Sequence, residues 1–176
     1  FRNRRKQILK TQGETKDYHP DFVSPVSISM SKSDSLTAWL QQWDQTPNAT
    51  LPAEYRAFME LFHQGAYYEA HDVLEHLWLR TTDANRSFFQ ALIQVAGAFV
   101  HFQKQFQFPD HPTHSKRIAP GRRLLLLAHA RLASYPSPHF NLQIDALLSQ
   151  LNDWSDLAIQ GNPLTLGVSP KLPFTP

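Results

Sequence analysis

Apolar residues recur along most of the chain three and four residues apart, which is the spacing of an amphipathic helix. The clearest stripes lie at 35–43 and from Phe140 to Ala158. No comparable length of chain shows the alternation of apolar and polar residues that is typical of strands. The pattern predicts six helices: at 35–43, between Pro52 and Gly65, at 66–81, at 85–106, from Pro120 onward, and from Ser137–Pro138 to Gly161.

Proline and glycine indicate where these helices end. None of the 13 prolines falls between residues 53 and 108, and that stretch contains only two glycines. Because proline breaks helix interiors, the longest helices are expected there. The predicted fold is all-α, a single compact bundle of about five to six helices over residues 31–162 with its recognisable core at 53–106. Residues 163–176 are expected to form a proline-rich irregular tail.

The positive charge of the chain is concentrated near its N-terminus. Six Lys and Arg residues stand against three acidic residues at positions 1–29, whereas eleven stand against twelve in the remainder. Residues 1–30 lack helical periodicity and are predicted to be a basic, disordered leader. Such a leader fits an anionic partner such as RNA or a membrane surface, a targeting segment, or sequence upstream of a natural start at Met30. We favour the last of these.

Composition excludes several classes of protein. The absence of cysteine rules out disulfides, a thiol nucleophile and a thiolate metal site. No apolar run approaches the roughly 20 residues that a membrane span needs. Nucleic-acid binding is not expected of the near-neutral bundle, although the basic leader is suited to it. A cytoplasmic location is therefore expected.

Polar side chains interrupt the helix predicted at 66–81 in an ordered way. His71 and Glu75 are four residues apart on the edge of its apolar arc, beside Trp78. Glu69 lies near the other border of the arc. Asp72 and the following His76 are predicted to form a second pair on the opposite, solvated side. One acid–imidazole pair is thus expected to be partly buried and the other exposed.

The helix predicted at 85–106 is apolar around nearly its whole circumference, which is typical of a buried helix. Its narrow polar gap contains Gln90, Gln94 and His101, with Gly97 among them. The connection to the preceding helix is short, so the two are expected to be antiparallel neighbours. Buried amides and imidazoles need partners. The sequence therefore predicts a polar pocket where this gap meets His71 and Glu75.

These two helices contain an ordered pattern of dissimilar residue types. It comprises Phe62, Gly65, Tyr67, Glu69, Ala70, His71, Leu74, Glu75, Trp78, Phe89, Gln90, Leu92, Ile93, Gln94, Ala96 and His101. Over residues 55–105 this pattern resembles the family known as domain of unknown function number 309. The resemblance implies a small helical bundle with a Glu, His, Trp and Gln cluster as its signature, and no established activity. It also implies cytoplasm or, in a photosynthetic eukaryote, plastid stroma. A His- and Pro-rich insert at 107–120 replaces the family's short turn.

Two readings of the polar residues compete. In one, Glu69, His71, Glu75, Trp78, Gln90, Gln94 and His101 line a ligand-binding pocket, and His71, Glu75 and His101 hold a divalent metal such as zinc or non-haem iron. A metal-free variant of this reading makes His71 a general base that Glu75 orients. In the other, the same residues form a structural hydrogen-bond network.

Other surfaces suggest other functions. The insert and the helix after it place Arg122 and Arg123 in a predicted first turn, where a bound phosphate would offset the unfavourable helix dipole. A solvated basic loop is the simpler interpretation. The whole domain also fits a non-catalytic interaction module that binds a helical protein or a second copy of itself.

Overall fold

The computed structural model describes residues 40–41 and 50–175 of the chain. This part forms five helices: α1 (Ala53–His63), α2 (Tyr67–Arg80), α3 (Asn85–Gln107), α4 (Ile118–Leu132) and α5 (Ile144–Gln160). The described residues contain no strand, only isolated bridges from Leu142 to His139 and Phe174. The predicted all-α bundle is therefore confirmed. The leader at 1–30 and the helix predicted at 35–43 lie outside the described residues, except that Leu40 and Gln41 are helical.

The longest helix, α3, forms the centre of the bundle because it packs against α2 on one side and α4 on the other. Its Phe99 is fully buried. The Phe99 ring centroid lies 5.0 Å from that of Trp154 on α5, 5.2 Å from Tyr67 on α2 and 5.7 Å from Phe62 on α1. Burying a side chain of this size contributes roughly 1.5–3 kcal/mol. Phe99 on α3 thus contacts α1, α2 and α5, so four helices pack together around this side chain.

Two glycines allow the chain to turn and the helices to approach. Gly65 ends the α1 region with a φ of 80°, a left-handed conformation that side chains with a Cβ disfavour. Gly121 lies on α4 where a Cβ would be 2.5 Å from Cε1 of Phe102 on α3. Only glycine therefore permits this close packing of α3 against α4.

The predicted start of the last helix is wrong. The helix begins at Ile144, and the segment before it is a loop in which Phe140 and Asn141 have positive φ angles of 47° and 59°. The reason is tertiary. Phe140 packs into the core with its ring stacked 5.5 Å from that of Phe88, and its carbonyl accepts a 3.0 Å hydrogen bond from the Tyr55 hydroxyl. These contacts hold the backbone in a conformation that a helix cannot adopt.

The start of α4 also differs from the prediction. The helix begins at Ile118, so Pro120 lies within its first turn, where proline is tolerated because the early N–H groups have no partner in the helix. Arg122 and Arg123 consequently lie beyond the first turn, and the expectation that they crowd the helix N-terminus is wrong.

The C-terminal tail is irregular over 163–175, and it packs on the bundle. Leu172 is buried, and its backbone N–H donates a 3.0 Å hydrogen bond to Nε2 of His63 at the end of α1. Just before the tail, Nδ2 of Asn162 donates a 2.8 Å hydrogen bond to the Phe102 carbonyl on α3. Among the described helices, none is both long and apolar enough to cross a membrane.

Candidate functional site

The candidate site lies on α2, whose apolar face explains its position. Ala70, Val73, Leu74 and Leu77 are buried against the core, and this stripe sets the rotation of the helix. His71, Asp72 and Glu75 lie beside the stripe and are half-buried, and one potential ligand atom from each of the three lies within 4.8 Å of the others. Nδ1 of His71 is 3.4 Å from Oδ1 of Asp72.

Asp72 is the member of this group that the sequence prediction left out. The expected outer pair of Asp72 and His76 does not form. Nδ1 of His76 instead lies 3.5 Å from Oε1 of Glu54 on α1 and 3.0 Å from Nη1 of Arg80. Arg80 and Glu54 form an ion pair. The spacing contained a signal for the actual grouping, because positions three apart on a helix are neighbours, as Asp72 and Glu75 are.

The antiparallel register of α2 and α3 follows from two contacts. Nε2 of Gln103 donates a 3.3 Å hydrogen bond to the Gly65 carbonyl, just before α2 begins. Further along, a Cβ built on Gly97 would lie 3.8 Å from Cδ2 of His71. The two contacts are six residues apart on each segment, from Gly65 to His71 and from Gln103 back to Gly97, as antiparallel packing requires. His71 therefore meets the polar stripe of α3 at Gly97, and the same register places Glu75 level with Ile93, the neighbour of Gln94 in the chain.

The two glutamines of the stripe have different surroundings. Gln90 is half-buried, and its Oε1 accepts a 3.2 Å hydrogen bond from Nε of Arg131 on α4. Oε1 of Gln94 is buried and has no hydrogen-bond partner among the described residues. A buried polar atom of this kind needs a partner to offset its lost hydration.

His101 lies apart from the group on α2, because it is one helical turn beyond Gly97 on α3. Its Nδ1 lies 3.4 Å from Nη1 of Arg117 at the start of α4. Burial, with the positive charges of Arg117 and Lys104, lowers the pKa of His101 below its usual value. The structure thus brings together His71 and Glu75 of the predicted metal ligands and places His101 next to a guanidinium instead.

Two further residues of the predicted pocket occupy different positions. Glu69 is exposed on α2. Trp78 is half-buried, and the guanidinium carbon of Arg86 lies 4.2 Å from its ring centroid. Nη1 of Arg86 also donates a 3.0 Å hydrogen bond to the Trp78 carbonyl. Within the described part of the chain, Nε1 of Trp78 is buried without a hydrogen-bond partner.

The proposed phosphate site at the start of α4 does not have the expected free donors. The backbone N–H groups of Arg117 and Ile118 both donate to Oε1 of Gln105, at 2.6 and 3.0 Å. Nε of Arg122 donates 3.1 Å to the Ser155 carbonyl on α5. Gln105 therefore caps this helix from α3, and Arg122 links α4 to α5.

Comparison with known proteins agrees with the sequence pattern of this site. Residues 55–107 match the model of a family described as Domain of unknown function (DUF309). No curated protein matches the chain. A conserved hypothetical protein from Thermus thermophilus, known from a crystal structure, is 30% identical, with 58% of this chain and 95% of that chain covered and a TM-score of 0.43. The matched residues contain most of α1, all of α2 and α3, and His71, Asp72 and Glu75 of the candidate site, and the chain belongs to the family of unknown function number 309.

Proposed function

We propose that this bundle binds a divalent metal ion through His71, Asp72 and Glu75 on α2. The observation that carries the proposal is that one potential ligand atom from each residue lies within 4.8 Å of the others. Small rotations of the side chains suffice to bring such atoms to the 2.0–2.2 Å distances that are typical for zinc with imidazole and carboxylate.

The electrostatics of the group support a cation. Within the described residues, no Lys or Arg forms an ion pair with Asp72 or Glu75, and Nδ1 of His71 lies 3.4 Å from Oδ1 of Asp72. Two half-buried carboxylates near each other repel, and a bound cation would offset that repulsion. A metal at this position would balance negative charge that no Lys or Arg of the described residues pairs with.

The donor set indicates which metals fit. One imidazole and two carboxylates suit borderline to hard divalent ions, of which zinc, iron and manganese are the common biological examples. Three protein ligands leave coordination positions open, as in catalytic rather than purely structural sites. We therefore propose a site at which a small molecule also binds, next to the polar stripe of α3.

The test is metal affinity of the purified chain, measured by isothermal titration with Zn²⁺ and Mn²⁺. His71→Ala should weaken binding by more than about 100-fold, since the loss of even an outer-shell partner typically costs 10–100-fold. His76→Ala is the matched control, because it removes an imidazole from the same helix outside the group. Equal metal affinity of the wild type and His71→Ala would contradict the proposal. So would a loss of affinity in His76→Ala that is as large as the loss in His71→Ala.

A second candidate function is a helical interaction module, which binds a partner protein or a second copy of this chain. The observation in its favour is the exposure of adjacent Leu126 and Leu127 on α4, at 44% and 40%. In this reading, the polar residues serve only to maintain the helix packing. Light scattering on the wild type and on Leu126→Gln/Leu127→Gln tests it, since an interface on α4 predicts a mass that falls to the monomer in the variant.

A further inference from the structure

The polar stripe of α3 lies between α2 and α4, and we call this partly exposed strip the α3 groove, with the α3 residues as its floor. This α3 groove is defined by Gln90, Gln94 and Gly97, which are all half-buried. At Gly97, a Cβ would lie 3.8 Å from His71 on α2 and 3.3 Å from Cδ1 of Leu124 on α4. Both helices therefore reach the floor at the same level, and they form the two walls of the groove.

The contacts along the groove place particular residues opposite each other. The register of α2 and α3 sets Trp78 level with Gln90, which in turn bonds Arg131 on the other wall. By the same register, Glu75 is level with Ile93, which is three residues from Gln90 along α3, or about 4.5 Å at about 1.5 Å per residue. Along the helix axis, Glu75 and Arg131 are therefore close enough for one phosphate group to lie between them.

The two walls carry opposite charge. The α2 wall contains Asp72 and Glu75. The α4 wall contains Arg131, and no acidic residue occurs anywhere in that helix. A ligand in this groove meets carboxylates on one side and a guanidinium group on the other.

Arg131 is the cation best placed to bind a ligand. Its Nε donates 3.2 Å to Oε1 of Gln90, which fixes the side chain at the floor of the groove. Within the described residues, no carboxylate forms an ion pair with it, and its guanidinium makes no other hydrogen bond. Its two terminal nitrogens can therefore form the forked pair of hydrogen bonds that suits a phosphate or carboxylate group.

The floor and the α2 wall also contain buried polar atoms. Oε1 of Gln94 on the floor, one turn from Gln90, is a buried acceptor, and Nε1 of Trp78 on the α2 wall is a buried donor. Neither atom has a hydrogen-bond partner among the described residues. An oxyanion supplies acceptors and a hydroxyl group supplies a donor, so a hydroxylated phosphate ester can satisfy both kinds of atom.

We propose that the α3 groove binds a small phosphate ester, whose phosphate group lies between the guanidinium of Arg131 and a divalent ion held by His71, Asp72 and Glu75. This inference rests on the proposed metal site and adds the chemical class of the ligand. The hydroxyl part of the ester lies near Gln94.

The experiment uses the full chain loaded with Mn²⁺ at less than one equivalent, with inorganic phosphate as the probe. Phosphate bound next to the paramagnetic ion should show a broadened phosphorus NMR signal, and its titration yields an affinity. Arg131→Gln should weaken phosphate binding by roughly tenfold or more, the usual factor for the loss of a charge-assisted hydrogen bond. Its affinity for Mn²⁺ should stay unchanged.

Arg123→Gln is the matched control, because it removes the same charge from an exposed position on the same helix. Its phosphate affinity should stay within about twofold of the wild type, as surface charges contribute little. Phosphate binding that Arg131→Gln leaves unchanged overturns the inference, while Mn²⁺ binding in the same samples keeps the proposed metal site intact. A chain that binds no Mn²⁺ overturns the metal site and the inference together.

A second probe tests the position of the hydroxyl group. Glycerol phosphate should bind more tightly than inorganic phosphate, and Gln94→Leu should reduce the affinity for glycerol phosphate to that for inorganic phosphate. Gln94→Leu is expected to fold, because it replaces a half-buried amide with an apolar group of similar size. Equal affinities of the two probes for the wild type would contradict a ligand that engages Gln94.

Discussion

Helix α2 contributes to two groups of acidic and imidazole side chains, and they have different surroundings. On the side of α1, Glu54 of α1 is buried, and Arg80 and His76 of α2 are its partners. On the side of α3 and α4, His71, Asp72 and Glu75 are half-buried, and no Lys or Arg pairs with the two carboxylates in the described part of the chain. Among the described residues, the first group therefore has a guanidinium for its carboxylate, whereas the second has two carboxylates and no such partner.

The difference separates a structural role from a binding role. A buried carboxylate needs a cation or several hydrogen bonds to offset its lost hydration, and Glu54 obtains them from α2. This pair therefore joins α1 to α2. The carboxylates of the other group are partly hydrated, so they tolerate the absence of a partner, and they remain available to an external cation. Four predictions test this distinction, in order of decreasing expected effect.

The largest expected effect is stabilisation by metal. At a concentration about 100-fold above Kd, a ligand that binds only the folded state raises the free energy of unfolding by about 2.7 kcal/mol. For a chain of this size that corresponds to a rise in Tm of roughly 5–10 °C. Thermal denaturation with Zn²⁺ should show this rise in the wild type and in Glu54→Ala. Asp72→Ala should lose most of it, and an equal rise in both variants would contradict the distinction.

The second effect is the loss of stability in metal-free Glu54→Ala. Removing this carboxylate should lower the free energy of unfolding by about 2 kcal/mol, because hydrogen bonds to charged groups contribute about 1.5–3 kcal/mol. Asp72→Ala should stay within about 0.5 kcal/mol of the wild type, as is usual for accessible positions. Urea denaturation measures both. A larger loss in Asp72→Ala than in Glu54→Ala would reverse the assignment of the two groups.

The third effect concerns pH. The lowered pKa of His101 means that the unfolded chain binds this proton more readily than the folded chain. Stability should therefore be full above the ordinary histidine pKa of about 6.5 and should fall as the pH drops below it toward the lowered pKa of His101. His101→Gln should flatten this part of the stability profile. An unchanged slope in the variant would show that Arg117 and the burial of His101 do not control its protonation.

The smallest expected effect is a gain in the stability of the metal-free chain when Glu75 is replaced. Asp72 and Glu75 are three residues apart on one helix face, so they repel each other when no metal is bound. Glu75→Gln should raise the free energy of unfolding of the metal-free chain by about 0.2–0.5 kcal/mol, the usual size of such pairs. Urea denaturation in a chelating buffer measures the change. A loss of stability of more than about 1 kcal/mol would instead indicate that Glu75 maintains the fold.

Much of the fold could be predicted from local pattern, and the exceptions have tertiary causes. The apolar spacing of α2 and α3 correctly indicated both helices and their antiparallel packing, because a short connection leaves few other arrangements. The start of α5 was misplaced by several residues, since the contacts of Phe140 with Phe88 and Tyr55 override the helix-start signal of Ser137–Pro138. A helix-start signal depends on neighbouring residues alone, so it cannot predict contacts with aromatic residues that are distant in the chain.

The candidate site shows the same division. Helical spacing alone places His71 and Glu75 together, because residues four apart lie on one face. The partner of His76 could not be predicted in this way, because Glu54 comes from another helix and reaches α2 only through the packing of α1. Likewise, the surroundings of His101 depend on Arg117, which lies in the insert and approaches α3 through the packing of α4.

The sequence by itself determined the fold class, the family and the polar residues of α2 and α3, because these depend on periodicity and composition within single helices. Only the tertiary structure decided which of those residues act together. It paired His76 with Glu54 instead of Asp72, separated His101 from His71 and Glu75, and brought Arg131 to Gln90. The physical reason is that charges and hydrogen bonds act over a few ångströms, and residues far apart in the chain reach that range only when the helices pack.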